Sequence, residues 1–86
     1  MCPIKVDEIR IGHIVDFVKE NTTFVAAREN RNNYLRLFLV NHNTSTVYTR
    51  NGRADSWEEL AGATRDTIIG HIIDARSSCP VYRLSS

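Results

Sequence analysis

Residues 7–20 read DEIRIGHIVDFVKE, and the fold of the chain turns on whether they form a helix or a strand. Ile11, Ile14, Val15 and Val18 recur at helical spacing, Asp7 and Glu8 suit a first turn, and Lys19 and Asn21 suit an end. Yet Ile9, Ile11, His13, Val15 and Phe17 alternate as in a strand, and the stretch is rich in β-branched residues. The helix is preferred here, because the second strand face would set Arg10, Gly12 and Asp16 beside Ile14 and Val18.

Downstream the pattern is plainer. Thr22–Arg28 reads as a strand, the polar run from Glu29 to Asn33 as a hairpin loop, and Tyr34–Val40 as the strongest strand of the chain. Asn41–Ser45 is a second turn, Thr46–Arg50 a third strand, and Asn51-Gly52 a turn dipeptide whose residues tolerate positive φ. Ser56-Trp57-Glu58-Glu59 has the form of a capping box, so a helix is expected from Trp57 to about Arg76. Its main stripe is Trp57, Leu60, Ala61, Thr64, Ile68, Ile72 and Ala75, and Val81–Leu84 reads as a short closing strand. The expectation is one α+β domain over residues 1–86, in the order α-β-β-β-α with that short C-terminal strand. It has two layers, a three- to four-stranded antiparallel sheet and two helices on one face.

Length and composition agree with a single small globular domain: 86 residues, 42% hydrophobic, 24% charged and a net charge of +1. No apolar run approaches the ~20 residues of a membrane span, and MCPIKVDEIR is not a signal peptide. The compartment expected is therefore the cytoplasm, or a host cytoplasm. Two cysteines occur, each before proline, in Cys2-Pro3-Ile4 and Cys79-Pro80-Val81; the echo suggests two edge segments side by side. Without a secretory signal they are read as free thiols. The sequons at Asn21 and Asn43 are read as turn asparagines.

Charge is unevenly spread. From Arg28 to Arg53 five arginines face one acid, Glu29, whereas from Asp55 to Asp74 five acids face Arg65. Every basic residue from Arg28 to Arg83 is arginine, which suits planar, partly desolvated contacts better than lysine does.

On Tyr34–Val40 the side holding Leu35, Leu37 and Leu39 is expected in the core, leaving Tyr34, Arg36, Phe38 and Val40 to look outward. Pairing of sequential strands would add Tyr48 and Arg50 to that outer face, with Arg28, Arg31 and Arg53 extending it from the loops. Aromatic rings and arginine are enriched at interface cores, so the face is read as a protein-binding surface, for a separate target or for a copy of the chain. The same residues suit a single-stranded nucleic acid, with bases on rings and guanidinium groups on phosphates. Duplex RNA is disfavoured: domains of this element order grip it with lysines entering the last helix, and here that turn reads Asp55-Ser56-Trp57-Glu58-Glu59. On the last helix Gly62, Ile69 and Ile73 lie off the main stripe; they seat the first helix or form a seam between copies.

Nothing points to catalysis. Cys79, His71 and Asp74 can be drawn as thiol, base and orienter, but thiol catalysis needs the pair within hydrogen-bond reach in a site that lowers the thiol pKa, and the sequence shows neither. His13, His42 and His71 are scattered, no CxxC is present, and no metal or cofactor is expected. The sequence describes a small cytoplasmic binding module of regulator, inhibitor or adaptor type, a size class that includes small virus-encoded inhibitors.

Overall fold

The computed structural model describes residues 5–6, 9–53 and 56–85. Its elements are β1 (Lys5–Val6), β2 (Ile9–Phe17), β3 (Thr22–Glu29), β4 (Leu35–Asn41), β5 (Thr46–Asn51), β6 (Glu58–Leu60), α1 (Gly62–Ser78) and β7 (Tyr82–Leu84). The strands form one seven-stranded sheet in the order β1 to β6, with β7 added on β2. Neighbours from β1 to β6 pair antiparallel, and β7 runs parallel to the second half of β2, so the sheet is mixed. The chain is α+β, as expected, but the two-helix, three- to four-stranded antiparallel arrangement is corrected to seven strands in a mixed sheet and one helix among the described residues.

The correction starts in residues 7–20. Ile9–Phe17 is a strand, and Gly12 is a bulge in it: Ile11 pairs with Ala27 and His13 with Ala26, so Gly12 has no partner. The extra residue resets the alternation. Ile11 and Ile14 both face the core, and their three-residue spacing imitates a helix. Asp16, the charge that argued against a strand, is buried and neutralised by Arg76. Asp7 and Glu8, read as a first helical turn, lie outside the described residues.

The hairpins follow the asparagines. Asn21 and Asn33 adopt positive φ (50° and 59°), and the side chains of Asn41 and Asn51 accept the N–H two residues on. Register then assigns the faces. Val25 pairs with Phe38 and Thr23 with Val40, and Phe38 and Val40 pair in turn with Thr49 and Val47, all on the helix side. Phe38 is therefore 5% exposed and Val40 fully buried, while Leu35, Leu37 and Leu39 are half-buried on the other side. This inverts the expected faces of β4. Both faces are apolar, and alternation alone does not say which one the helix covers.

The capping box at Ser56 does not form. Residues 58–60 pair with β5, bringing Leu60 against Val47, and the helix begins at Gly62, whose φ of 64° turns the chain out of the strand. Ala61 is the N-cap and makes no side-chain cap bond. Ile72, Ala75 and Cys79 complete a core with Ile11, Ile14, Val25, Phe38, Val40 and Val47. The expected first helix being a strand, it does not seat on Ile69 and Ile73: Ile69 packs against the core, Ile73 is 48% exposed, and Gly62 is exposed at the helix start.

Cys79 is disulfide-bonded, which corrects the expectation of free thiols. The only other cysteine of the chain is Cys2, which lies outside the described residues. The bond removes the thiol argument for a reducing compartment. Among the described residues no helix is long and apolar enough to cross a membrane.

Candidate functional site

The sheet has two faces, and the described residues supply one helix. Ile72 and Ala75 seat that helix on the face of Val25, Phe38 and Val40, and among the described residues no other element is available to cover the opposite face. There the pairs Val15–Phe24, Phe24–Leu39 and Leu39–Tyr48 run across four strands, beside Ala26–Leu37 and Leu37–Arg50. Phe17, Phe24, Leu35, Leu37 and Leu39 are half-buried among themselves, and Tyr48 is 36% exposed. An uncovered patch of this composition marks a contact surface more often than chance exposure does.

The residues singled out from sequence are divided by this geometry. Arg28, Tyr48 and Arg50 stand on the open face. Arg36 and Phe38 face the helix, so the single aromatic and arginine surface expected from Tyr34 to Arg50 does not form. Tyr34 is exposed at the start of β4, where the guanidinium of Arg53 lies 5.0 Å above its ring; Arg31 is exposed in the β3–β4 loop. Arg28 donates to the carbonyl of Asn33 at 3.2 Å, and Arg10, also on the open face, donates to the Asn33 side chain at 2.8 Å. Arg50 buries its Nε without a hydrogen-bond partner among the described residues. Leu35, Leu37 and Leu39 were missed as surface residues because they read as core, and Phe17 and Phe24 were assigned to no face. The pairing of Leu35 with Arg28 and of Leu37 with Arg50 was the available signal, since cross-strand partners share a face.

On the helix side, Arg36 and Glu29 form an ion pair between β4 and β3, with Nε and Nη2 of Arg36 donating to one Glu29 oxygen at 3.2 and 2.6 Å. That hydrogen bond, against a smaller burial cost, holds the Glu29 carboxyl below its ordinary range. A second polar cluster closes the other end. Arg76 donates to Asp16 Oδ2 at 2.9 Å, Thr23 lies 2.7 Å from Asp16 Oδ1, and Nε2 of His42 lies 2.7 Å from the Thr23 hydroxyl. Ion-paired Asp16 can only accept, so Thr23 donates to it and the Nε2–H of His42 donates to Thr23. Burial, then the field of Arg76, lowers the His42 pKa against the opposing pull of Asp16. This is a lock and not a catalytic array: the Thr23 proton is committed to Asp16, and Thr23 is 1% exposed. Among the described residues no His, Cys, Asp and Glu cluster could hold a metal ion.

Compared with known protein families, curated proteins and solved structures, the chain matches none.

Proposed function

We propose that this chain is a non-enzymatic protein-binding module, of the kind that regulates or inhibits, and that its open sheet face pairs with a second copy of itself. The observation that carries the reading is the uncovered face itself: Leu37 at the centre, with Phe24, Leu35, Leu39 and Tyr48 around it. Four strands ~4.8 Å apart and six residues at ~3.3 Å each give roughly 400 Å² in plan, within the ~300–600 Å² of the largest, often functional, monomer patches. Two twisted sheets bury such faces against each other about 10 Å apart. Arg10, Arg28 and Arg50 stand toward the end where β4 begins, and uncharged Thr22, Asn41 and Thr46 at the other. A two-fold axis across the strands sets the arginine end of one copy on the end of the next that holds Thr22, Asn41 and Thr46, and keeps the arginines of the two copies apart.

Light scattering over a concentration series tests this. The wild type is expected to run as a dimer and Leu37→Arg as a folded monomer; a wild-type monomer at every concentration would defeat the reading. The same three arginines support a second reading, a single-stranded nucleic acid on this face. It ranks lower because the centre of the face is leucine, which offers bases no ring to stack on. A mass increase with single-stranded oligonucleotide that weakens steeply with salt would reverse the order.

A further inference from the structure

The helix is held to the sheet at one end. Ile72 and Ala75 are buried, Arg76 is paired with Asp16 and Cys79 is in the core, whereas Ala63 and Thr64 are exposed. Between the first half of α1 and the sheet a shallow, open-sided cleft of about 560 Å³ remains. Ile9, Phe38, Leu60 and Ile68 form its apolar walls, and the Arg36–Glu29 pair forms a polar one. Arg36 gives Nε and Nη2 to one Glu29 oxygen, and its Nη1 hydrogen-bonds none of the described residues. Glu29 also fixes the plane of the guanidinium, so a further acceptor meets a donor that is already oriented. With the Arg36 side chain 30% exposed, such a bond forms partly out of water, where it is stronger than at an open surface.

We infer that this cleft binds a small amphipathic molecule, its apolar body against Ile9, Phe38, Leu60 and Ile68 and a carboxylate or amide-type carbonyl oxygen on Nη1 of Arg36. The site lies on the helix side of the sheet and does not depend on what the open face contacts.

Octanoic acid, octanamide and octan-1-ol, titrated separately into methyl-labelled protein, test the inference by NMR. The Ile9 and Ile68 methyls shift saturably, and the acid or the amide binds severalfold tighter than the alcohol, whose hydroxyl oxygen is the weaker acceptor for the Arg36 guanidinium. Tight binding of the acid alone assigns a carboxylate, and of both, a carbonyl oxygen. Arg36→Gln removes the preference over the alcohol, and Ile68→Trp, which fills the cleft, removes binding of all three. The wild-type titrations decide the matter even where Arg36→Gln does not fold. The inference is overturned if no compound moves the Ile9 and Ile68 methyls, or if the alcohol binds as tightly as the acid and the amide.

Discussion

Arg76, in the last turn of the helix, stands 2.9 Å from Asp16 of β2, 60 residues away in sequence, and so pins the helix to the bulged strand. The two partners are unequally exposed, at 33% for the arginine side chain and 7% for the aspartate. Their removal should be unequal too. Arg76→Met leaves a buried carboxylate without its ion pair, with the Thr23 hydroxyl and Arg83 at 4.0 Å to offset it, and should cost about 3 kcal/mol. Asp16→Asn frees an arginine that can turn to water, and should cost roughly 1–2 kcal/mol. Urea denaturation of the two variants checks the order.

His42 makes stability depend on pH. Its folded pKa is lowered from the ordinary 6.5, so just below that value the unfolded chain binds more protons than the folded one. Its contribution is present above 6.5 and is lost as pH falls through that value toward the folded pKa. The urea midpoint should drop between about pH 7.5 and about pH 5.5, and His42→Gln should flatten the drop. An equal drop in the variant would remove His42 from the account.

Phe38 and Leu37 are adjacent in sequence and opposite in role. Phe38→Ala opens a cavity under the helix and should cost ~3–5 kcal/mol. Leu37→Ala trims the open face; the monomer should lose less than ~1 kcal/mol, while self-association weakens. Thermal melts at low concentration give the first comparison, and dilution series the second.

Gly62 and Ser56 test where the helix starts. Gly62→Ala places a side chain at a φ of 64° and should cost about 1 kcal/mol, although the added Cβ meets nothing within 4 Å. Ser56→Ala should be neutral, since residues 58–60 continue as strand. A loss at Ser56 with none at Gly62 would restore the helix start expected from the capping box.

Much of the fold is legible in the residues alone. β3, β4, β5, their asparagine turns and a closing strand follow from alternation and turn chemistry, and the body of the C-terminal helix, though not its start, from its apolar stripe. β2 does not, because a bulge turns a two-residue period into a three-residue one and Asp16 finds its partner only in the folded chain. An isolated glycine inside a β-branched run was the sign of that bulge. The short motif at Ser56 lost to the pairing of Leu60 with Val47. Of the candidate surface, Arg28, Tyr48 and Arg50 are on the open face, but its leucines were not legible as surface. β4 is apolar on both sides, and only the position of the helix chooses between them.

The pairing of open faces is tested most directly by isotope-filtered NMR on a mixture of labelled and unlabelled chains. Intermolecular cross-peaks are expected from the Leu37 and Leu39 methyls of one copy to the Phe24 and Tyr48 rings of another. A dimer whose cross-peaks arise from Ile73 or the helix, with none at Leu37, would contradict it, as would the absence of any intermolecular peak at millimolar concentration.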